Sequence, residues 1–238
     1  MSAVILDGPT GGGGRLIGPL IAKDLGYDYV DRLVLTEAAR HVGATVEALH
    51  EREEKVPSRA DQFSTLLQRM LERSASVSLG TDPYFGVGGM AFLTEEYDNL
   101  GSRVITRSNE VQDDLYVEAV SKVITGLADE GNVVIVGRGG PIILSGRNDV
   151  LRVGLVASLE DRISKMMKVW DLNFDDSKSL ISKRDEARSY YIKRYFGVDN
   201  PDAAEMYHMV INTSFIGEEY LRNLIVEASK LLKEGRLA

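Results

Sequence analysis

The stretch VILDGPTGGGGRLIG, residues 4–18, runs from a short apolar segment into a glycine-saturated turn and out into a second apolar segment with helical spacing. Val4, Ile5 and Leu6 read as a buried strand, and Asp7 followed by Gly8 and Pro9 takes the chain out of the sheet. Gly11 to Gly14 are consecutive glycines, each costly to order, so the turn needs a use for them. Backbone without Cβ atoms can wrap closely around an anion with its N–H groups inward, and the following helix adds the positive end of its dipole. The stretch therefore points to phosphate ahead of the plainer alternative, a glycine-rich strand-to-helix turn with no ligand.

The fit to the phosphate-loop pattern G-x-x-x-x-G-K-[ST] is partial. Gly8 and Gly13 meet it, whereas Gly14 and Arg15 stand where lysine and a hydroxyl residue belong. Arg15 is placed to supply the missing cation from one residue further on, as a planar fork instead of a point charge. No hydroxyl residue follows to hold magnesium. The dinucleotide spacing G-x-G-x-x-G is absent, although Asp28 and Asp31 lie at a tolerable distance for a ribose partner.

Composition narrows the classes. A chain of 238 residues with 44% apolar and 27% charged residues has material for one sizeable core. The net charge of -8 argues against a general nucleic-acid surface, while leaving room for a small basic site. The absence of cysteine excludes disulfides and thiolate metal sites. The first apolar run is too short for a signal peptide and no stretch approaches a membrane span, so the expectation is a cytoplasmic protein without membrane partners.

Outward from the turn, Leu16, Ile17, Leu20, Ile21 and Leu25 fall at helical spacing, with Pro19 early enough to be tolerated and Gly26 as the stop. Tyr27 to Val30 follows as a second strand. Strand, helix, strand is the unit of a parallel sheet, whose ligands gather at the carboxyl ends of the strands, and this places Asp31 and Arg32 near the glycine loop. Capping of the next helix is the competing use of Asp31. Leu33 to Leu49 reads as helical, Glu51 to Lys55 as a charge cluster and Pro57 to Asp61 as a break. Phe63, Leu66, Leu67, Met70 and Leu71 recur at helical spacing, and Ser74 to Ser108 is irregular, with Tyr84, Phe85, Phe92 and Tyr97 as a local aromatic cluster or a base pocket.

Beyond it, Val111 to Leu127 reads as a helix and Asn132 to Val136 as a strand that stops at Gly137, Arg138, Gly139 and Gly140. That repeats the design of the first strand and makes Arg138 a second candidate phosphate ligand. Leu151 to Val156 is the next strand, and Leu159 to Val169 a helix with Asp161, Arg162 and Lys165 expected on its outer side. Ser177 to Phe196 concentrates basic residues, and Arg184, Arg188, Tyr191 and Tyr195 share a helical face. Two uses are open: cations partnered by Asp185 and Glu186 on a solvated helix, or an arginine clamp on phosphate. Met209 to Asn212 reads as a fifth strand and Phe215 to Leu232 as a final helix. His41, His50 and His208 are scattered, so a metal site built on them is not expected.

In order, DGPTGGG at residues 7–13, GGRLI at 13–17, YVDR at 29–32, NVVIVGRG at 132–139, LEDRI at 159–163, YYIKRYFGV at 190–198 and VINT at 210–213 resemble the cytidylate kinase-like family of nucleoside monophosphate kinases. The resemblance spans nearly the whole chain. It implies an α/β fold of the P-loop NTPase type, a three-layer sandwich with a central parallel five-stranded sheet. An acceptor-binding insertion is implied at residues 57–108 and an arginine-bearing lid at 172–200.

On the resemblance, Gly8, Thr10, Gly11, Gly12, Gly13, Gly14 and Arg15 would bind the donor phosphates of ATP, and Asp7 would be the metal ligand for Mg2+. Asp31, Arg32 and Arg138 would bind the acceptor, and Arg15, Arg138, Arg184 and Arg188 would form the catalytic cation set. The implied partners are small nucleotides, with no nucleic acid. Relative to cytidylate kinases the loop lysine is Gly14, the following hydroxyl position is Leu16, and the aspartate after the second glycine-arginine pair is Gly139. Two expectations follow: an ATP- and Mg2+-dependent kinase of CMP or dCMP, or a nucleotide-binding protein that uses the phosphate cradle for regulation.

Overall fold

The computed structural model describes residues 2–31, Leu35 and 107–237. Arg32, the helices expected between residues 33 and 71, and the irregular stretch from residue 74 to 106 lie outside the described residues. Within them, strands β1 (Ala3–Asp7), β2 (Asp28–Val30), β3 (Val133–Val136), β4 (Val150–Val156) and β5 (Met209–Asn212) form one parallel sheet in the order β2-β3-β1-β4-β5. The expected five-stranded parallel sheet is present, and β1 lies at its centre.

Alternation along the strands builds two layers of core. Ala3 and Ile5 of β1, with Val133 and Ile135 of β3, face α2 (Arg107–Glu130) through Val120, Val123, Ile124 and Leu127. Val4 and Leu6, with Val134, Val136, Val153 and Leu155, face α1 (Gly14–Leu25) and α6 (Glu218–Lys233) through Ile17, Ile21, Leu221 and Ile225. Strands covered on both faces read as continuous apolar runs, which is why VVIV and VIL were legible. Among the described residues, the remaining helices are α3 (Gly140–Ile143), α4 (Leu159–Trp170) and α5 (Phe174–Phe196), with a 3-10 turn at Ala204–Met206. Ile163 and Met166 of α4 pack on Ile181 of α5 in a small third cluster.

Helix ends follow local chemistry. α1 stops at Gly26, which is left-handed at φ 67°, and the Tyr27 N–H closes the end on the Ala22 carbonyl at 2.8 Å. α4 and α5 begin at Ser158 and Asn173, whose side chains accept from the N–H groups of Asp161 and Asp176. The last helix starts at Glu218 rather than Phe215: the Asn212 side chain and carbonyl accept from the Ser214 and Phe215 N–H groups, turning that segment away from the helix. The short α3 after Gly139 was not read from the sequence. No helix among the described residues is long and apolar enough to cross a membrane.

Register puts the carboxyl ends of the central strands level. Leu6 lies opposite Val136 and Asp7 opposite Gly154, so the turns after β1 and β3 emerge side by side. The glycine loop then folds back over the end of β4. A Cβ on Gly8 would lie 2.1 Å from the Leu155 carbonyl oxygen, one on Gly12 2.5 Å from the same oxygen, and one on Gly11 2.9 Å from Arg162 Cβ. Three of the loop glycines are thus demanded by packing. Gly13, at φ 112°, meets nothing closer than 3.9 Å and is demanded by conformation.

Two stability outcomes follow. Gly12→Ala has no positive φ to strain, so its cost is steric; we expect a loss of about 1–3 kcal/mol in urea unfolding. The second concerns His208, whose Nδ1 accepts from the Arg152 N–H at 3.0 Å. Burial and the nearby Arg152 guanidinium hold its pKa below the ordinary 6.5. The unfolded chain therefore binds the proton more readily, so this contribution is complete above pH 6.5 and shrinks as pH falls through the folded value. Thermal melts between about pH 8 and about pH 5 should show a steeper acid loss for the wild type than for His208→Gln.

Candidate functional site

The level strand ends and the loop enclose a cavity of about 180 Å3, walled by Asp7 to Leu16, Val136 to Gly139, Leu155, Lys165, Met166, Val169, Trp170, Arg184, Arg188, Tyr191 and Ile192. Four segments meet there: the β1–α1 loop, the β3–α3 turn, α4 and α5. Arg15, Arg138, Arg184 and Arg188, the cation set expected from the sequence, all line it. So does Lys165, which was not among the expected site residues.

The loop presents backbone donors. α1 starts at the cavity with Gly13 as N-cap, no side-chain cap and no acidic residue in its first turn, which leaves its N-terminal N–H groups and positive dipole end for an anion. On the other wall, Gly137, Arg138 and Gly139 have φ of 83°, 59° and 73°. A non-glycine residue in that region is held there by its surroundings. Arg138 is buried, with its guanidinium carbon 5.8 Å from the Tyr191 ring centroid. A Cβ on Gly139 would lie 2.9 Å from the Phe196 ring, so a side chain there would have to displace that ring and accept a φ of 73°.

The cations are arranged by carboxylates. Arg15 Nη2 donates to Asp31 Oδ2 at 3.1 Å, so the residue proposed for the donor phosphates also touches the residue proposed for the acceptor. Leu35 N–H donates to the Asp31 carbonyl at 3.0 Å. Arg188 lies between two acids, 3.3 Å from Asp7 Oδ2 and 2.9 Å from Asp202 Oδ1, and also donates to the Pro201 carbonyl. The Tyr207 hydroxyl donates to that same carbonyl at 2.8 Å, and burial, with Asp7 next, pushes its pKa up. Arg184 is buried 5.8 Å from the Trp170 ring centroid. The face shared by Arg184, Arg188 and Tyr191 is thus the face α5 turns inward.

α4 differs from its sequence reading. Arg162 and Lys165 were expected outside; both turn toward the loop. Arg162 donates to the Thr10 carbonyl at 3.2 Å and forms an ion pair with Asp185, whose other oxygen accepts from the Thr10 N–H at 2.8 Å. Asp185 therefore pairs with α4 and the loop instead of with the cations of its own helix. Lys165 donates to Thr213 Oγ1 at 2.9 Å, and that hydroxyl donates to the Gly12 carbonyl at 2.9 Å. Charge pattern alone put these cations on the solvent face, because the sequence does not reveal that the loop and the turn after β5 cover α4. The matched motifs LEDRI and VINT contain Arg162 and Thr213, and were the available signal.

The site suits a polyphosphate: uncapped N–H groups and cations face one cavity. It suits a divalent ion less well. Among the described residues Asp7 is the one carboxylate in the wall, its oxygens take the Gly8 N–H at 2.8 Å and Arg188, and neither Arg15 nor Leu16 brings a hydroxyl. Among the described residues there is no group of three or more potential metal ligands.

Residues 4–215 match the model of the cytidylate kinase-like family. A cytidylate kinase of Streptococcus equi subsp. zooepidemicus is 26% identical over 200 residues, covering 79% of this chain and 80% of its own. A shikimate kinase of Chlorobium chlorochromatii is 34% identical over 79 residues, 33% of this chain and 40% of its own. In fold, the chain is similar to an uncharacterized protein from Eubacterium ventriosum, with a TM-score of 0.59, 14% identity, and 96% and 98% of the two chains covered.

Removing the acid that joins loop, α4 and α5 tests how firmly the site is built. Asp185→Asn should cost about 2 kcal/mol in urea unfolding, since Arg162 and the Thr10 N–H both lose a charged acceptor. Asp199→Asn, which removes the exposed pair with Lys193, should leave the midpoint unchanged.

Proposed function

The chain belongs to the cytidylate kinase-like family, and we propose that it is a nucleoside monophosphate kinase, transferring the γ-phosphoryl group of ATP to CMP or dCMP in the cytoplasm. The observation that carries this reading is the convergence of Arg15, Arg138, Arg184 and Arg188 on the cavity that the glycine loop walls.

The chemistry asked of the protein is modest. An acceptor phosphate oxygen attacks the γ-phosphorus, the bond to the ADP oxygen breaks, and charge spreads over the equatorial oxygens of the phosphoryl group. Alignment and fixed positive charge supply most of the help. In this reading Gly8, Thr10 and Gly11 to Gly14 hold the donor phosphates on backbone N–H groups, with Arg15 at their edge. Arg138, in its constrained turn, and Asp31, with Arg32 beyond it, hold the acceptor. Arg184 and Arg188 bring positive charge from α5. Asp7 is the residue that would hold Mg2+, which when bound would supply positive charge to the phosphate oxygens.

Leu16 and the engaged Asp7 favour a second reading, in which the same cavity binds nucleotide to regulate rather than to transfer. The two separate in an assay of ADP release from ATP and Mg2+, screened against CMP, dCMP, UMP, AMP and GMP. We expect turnover with CMP or dCMP that Arg188→Lys lowers about 100-fold, since lysine keeps the charge beside Asp7 and Asp202 but loses the planar fork. No turnover with any acceptor, alongside a melting temperature raised by ATP, would select the regulatory reading.

A further inference from the structure

The loop lacks its lysine, and packing does not explain why. A Cβ on Gly14 would make only ordinary contacts, the nearest at 3.4 Å to Val136 Cγ1. Packing at Cβ thus gives no reason for the missing charge, which is either dispensable or supplied from elsewhere. Arg15, the neighbour in sequence, gives its Nη2 to Asp31.

We propose that Lys165 of α4 is the phosphate-loop cation of this protein, reaching the loop from outside through Thr213. The proposal rests on the nucleotide-binding reading above. Lys165 lines the cavity, and its ammonium sits 2.9 Å from Thr213 Oγ1, which is itself bonded to the Gly12 carbonyl. A Cβ on Gly13 would lie 3.9 Å from the Thr213 methyl, so Thr213 stands against both residues that precede the empty lysine position.

An ammonium has three donors, and Thr213 takes one. Its hydrogen-bond partner is a hydroxyl, whereas Arg15 and Arg188 donate to carboxylates. Asp161, one turn earlier on α4, acts on Lys165 only through space, and burial dominates in lowering the Lys165 pKa. A phosphate beside it would return to the ammonium the favourable field that burial removes. Lysine also suits the task in kind, as a compact point charge on a flexible stem.

The test is a charge transplant. ATP, AMP and inorganic tripolyphosphate are titrated by calorimetry into wild type, Lys165→Met, and Lys165→Met combined with Gly14→Lys; circular dichroism confirms folding. Lys165→Met should weaken ATP and tripolyphosphate about 10- to 100-fold and AMP much less, and Gly14→Lys should restore most of the loss. A merely structural Lys165 would not be rescued from the loop.

Retention of ATP affinity in Lys165→Met, or failure of the rescue in a folded double variant, would overturn the proposal. Should the variants not fold, wild type decides. Acetylation of Lys165, followed by mass spectrometry, should slow about fivefold or more under saturating tripolyphosphate, and an unchanged rate overturns the proposal. If wild type binds neither ATP nor tripolyphosphate, the nucleotide reading itself fails and the proposal with it. If wild type binds both and Lys165→Met binds them equally, only the proposal fails.

Discussion

Everything at the carboxyl edge of this sheet depends on how closely the β1–α1 loop can approach the Leu155 carbonyl. Gly8 and Gly12 rest on that carbonyl at distances where no Cβ fits, and Gly11 does the same against Arg162. The contact fixes the loop over β4, and with it the start of α1, the direction of its dipole and the wall on which Arg15 and Leu16 stand. Phosphate is a sufficient reason for glycine at such a turn, but here close packing is already one. The glycines therefore report the fold more surely than they report chemistry.

A gathering of cations in a protein of net charge -8 also needs a physical account. The structure sets several of them against acids: Arg15 against Asp31, Arg188 against Asp7 and Asp202, and Arg162 against Asp185. Each pair offsets part of the repulsion and desolvation that a cluster of like charges would suffer. It also aims the guanidinium groups, because Asp7 and Asp31 sit at strand ends, Asp202 in a turn and Asp185 on α5.

Much of the architecture was legible from the chain. The strands at VIL, VVIV and LRVGLV are largely buried, and the first two run into the glycines that mark departures from the sheet. The shared face of Arg184, Arg188 and Tyr191 was legible because helical spacing is local. What was not legible is nonlocal: Thr10 and Asp185 are 175 positions apart, and Gly12 and Thr213 are 201 apart. Nothing in the spacing of α4 distinguishes a lysine facing water from one facing a loop. Thus Arg162 and Lys165 were assigned to the wrong side.

Asp185 has a consequence for descent. It serves the loop backbone and Arg162 at once, and both its side chain and that of Arg162 are largely covered, at 28% and 14% exposure. A lineage that lost either charge would strand the other against the loop, so the two positions are bound to a common fate: kept together, or exchanged together for an uncharged pair. Thr10 escapes that bond, since it contributes only backbone. Inheritance should therefore be strict at 162 and 185 and permissive at 10, although all three meet at one point.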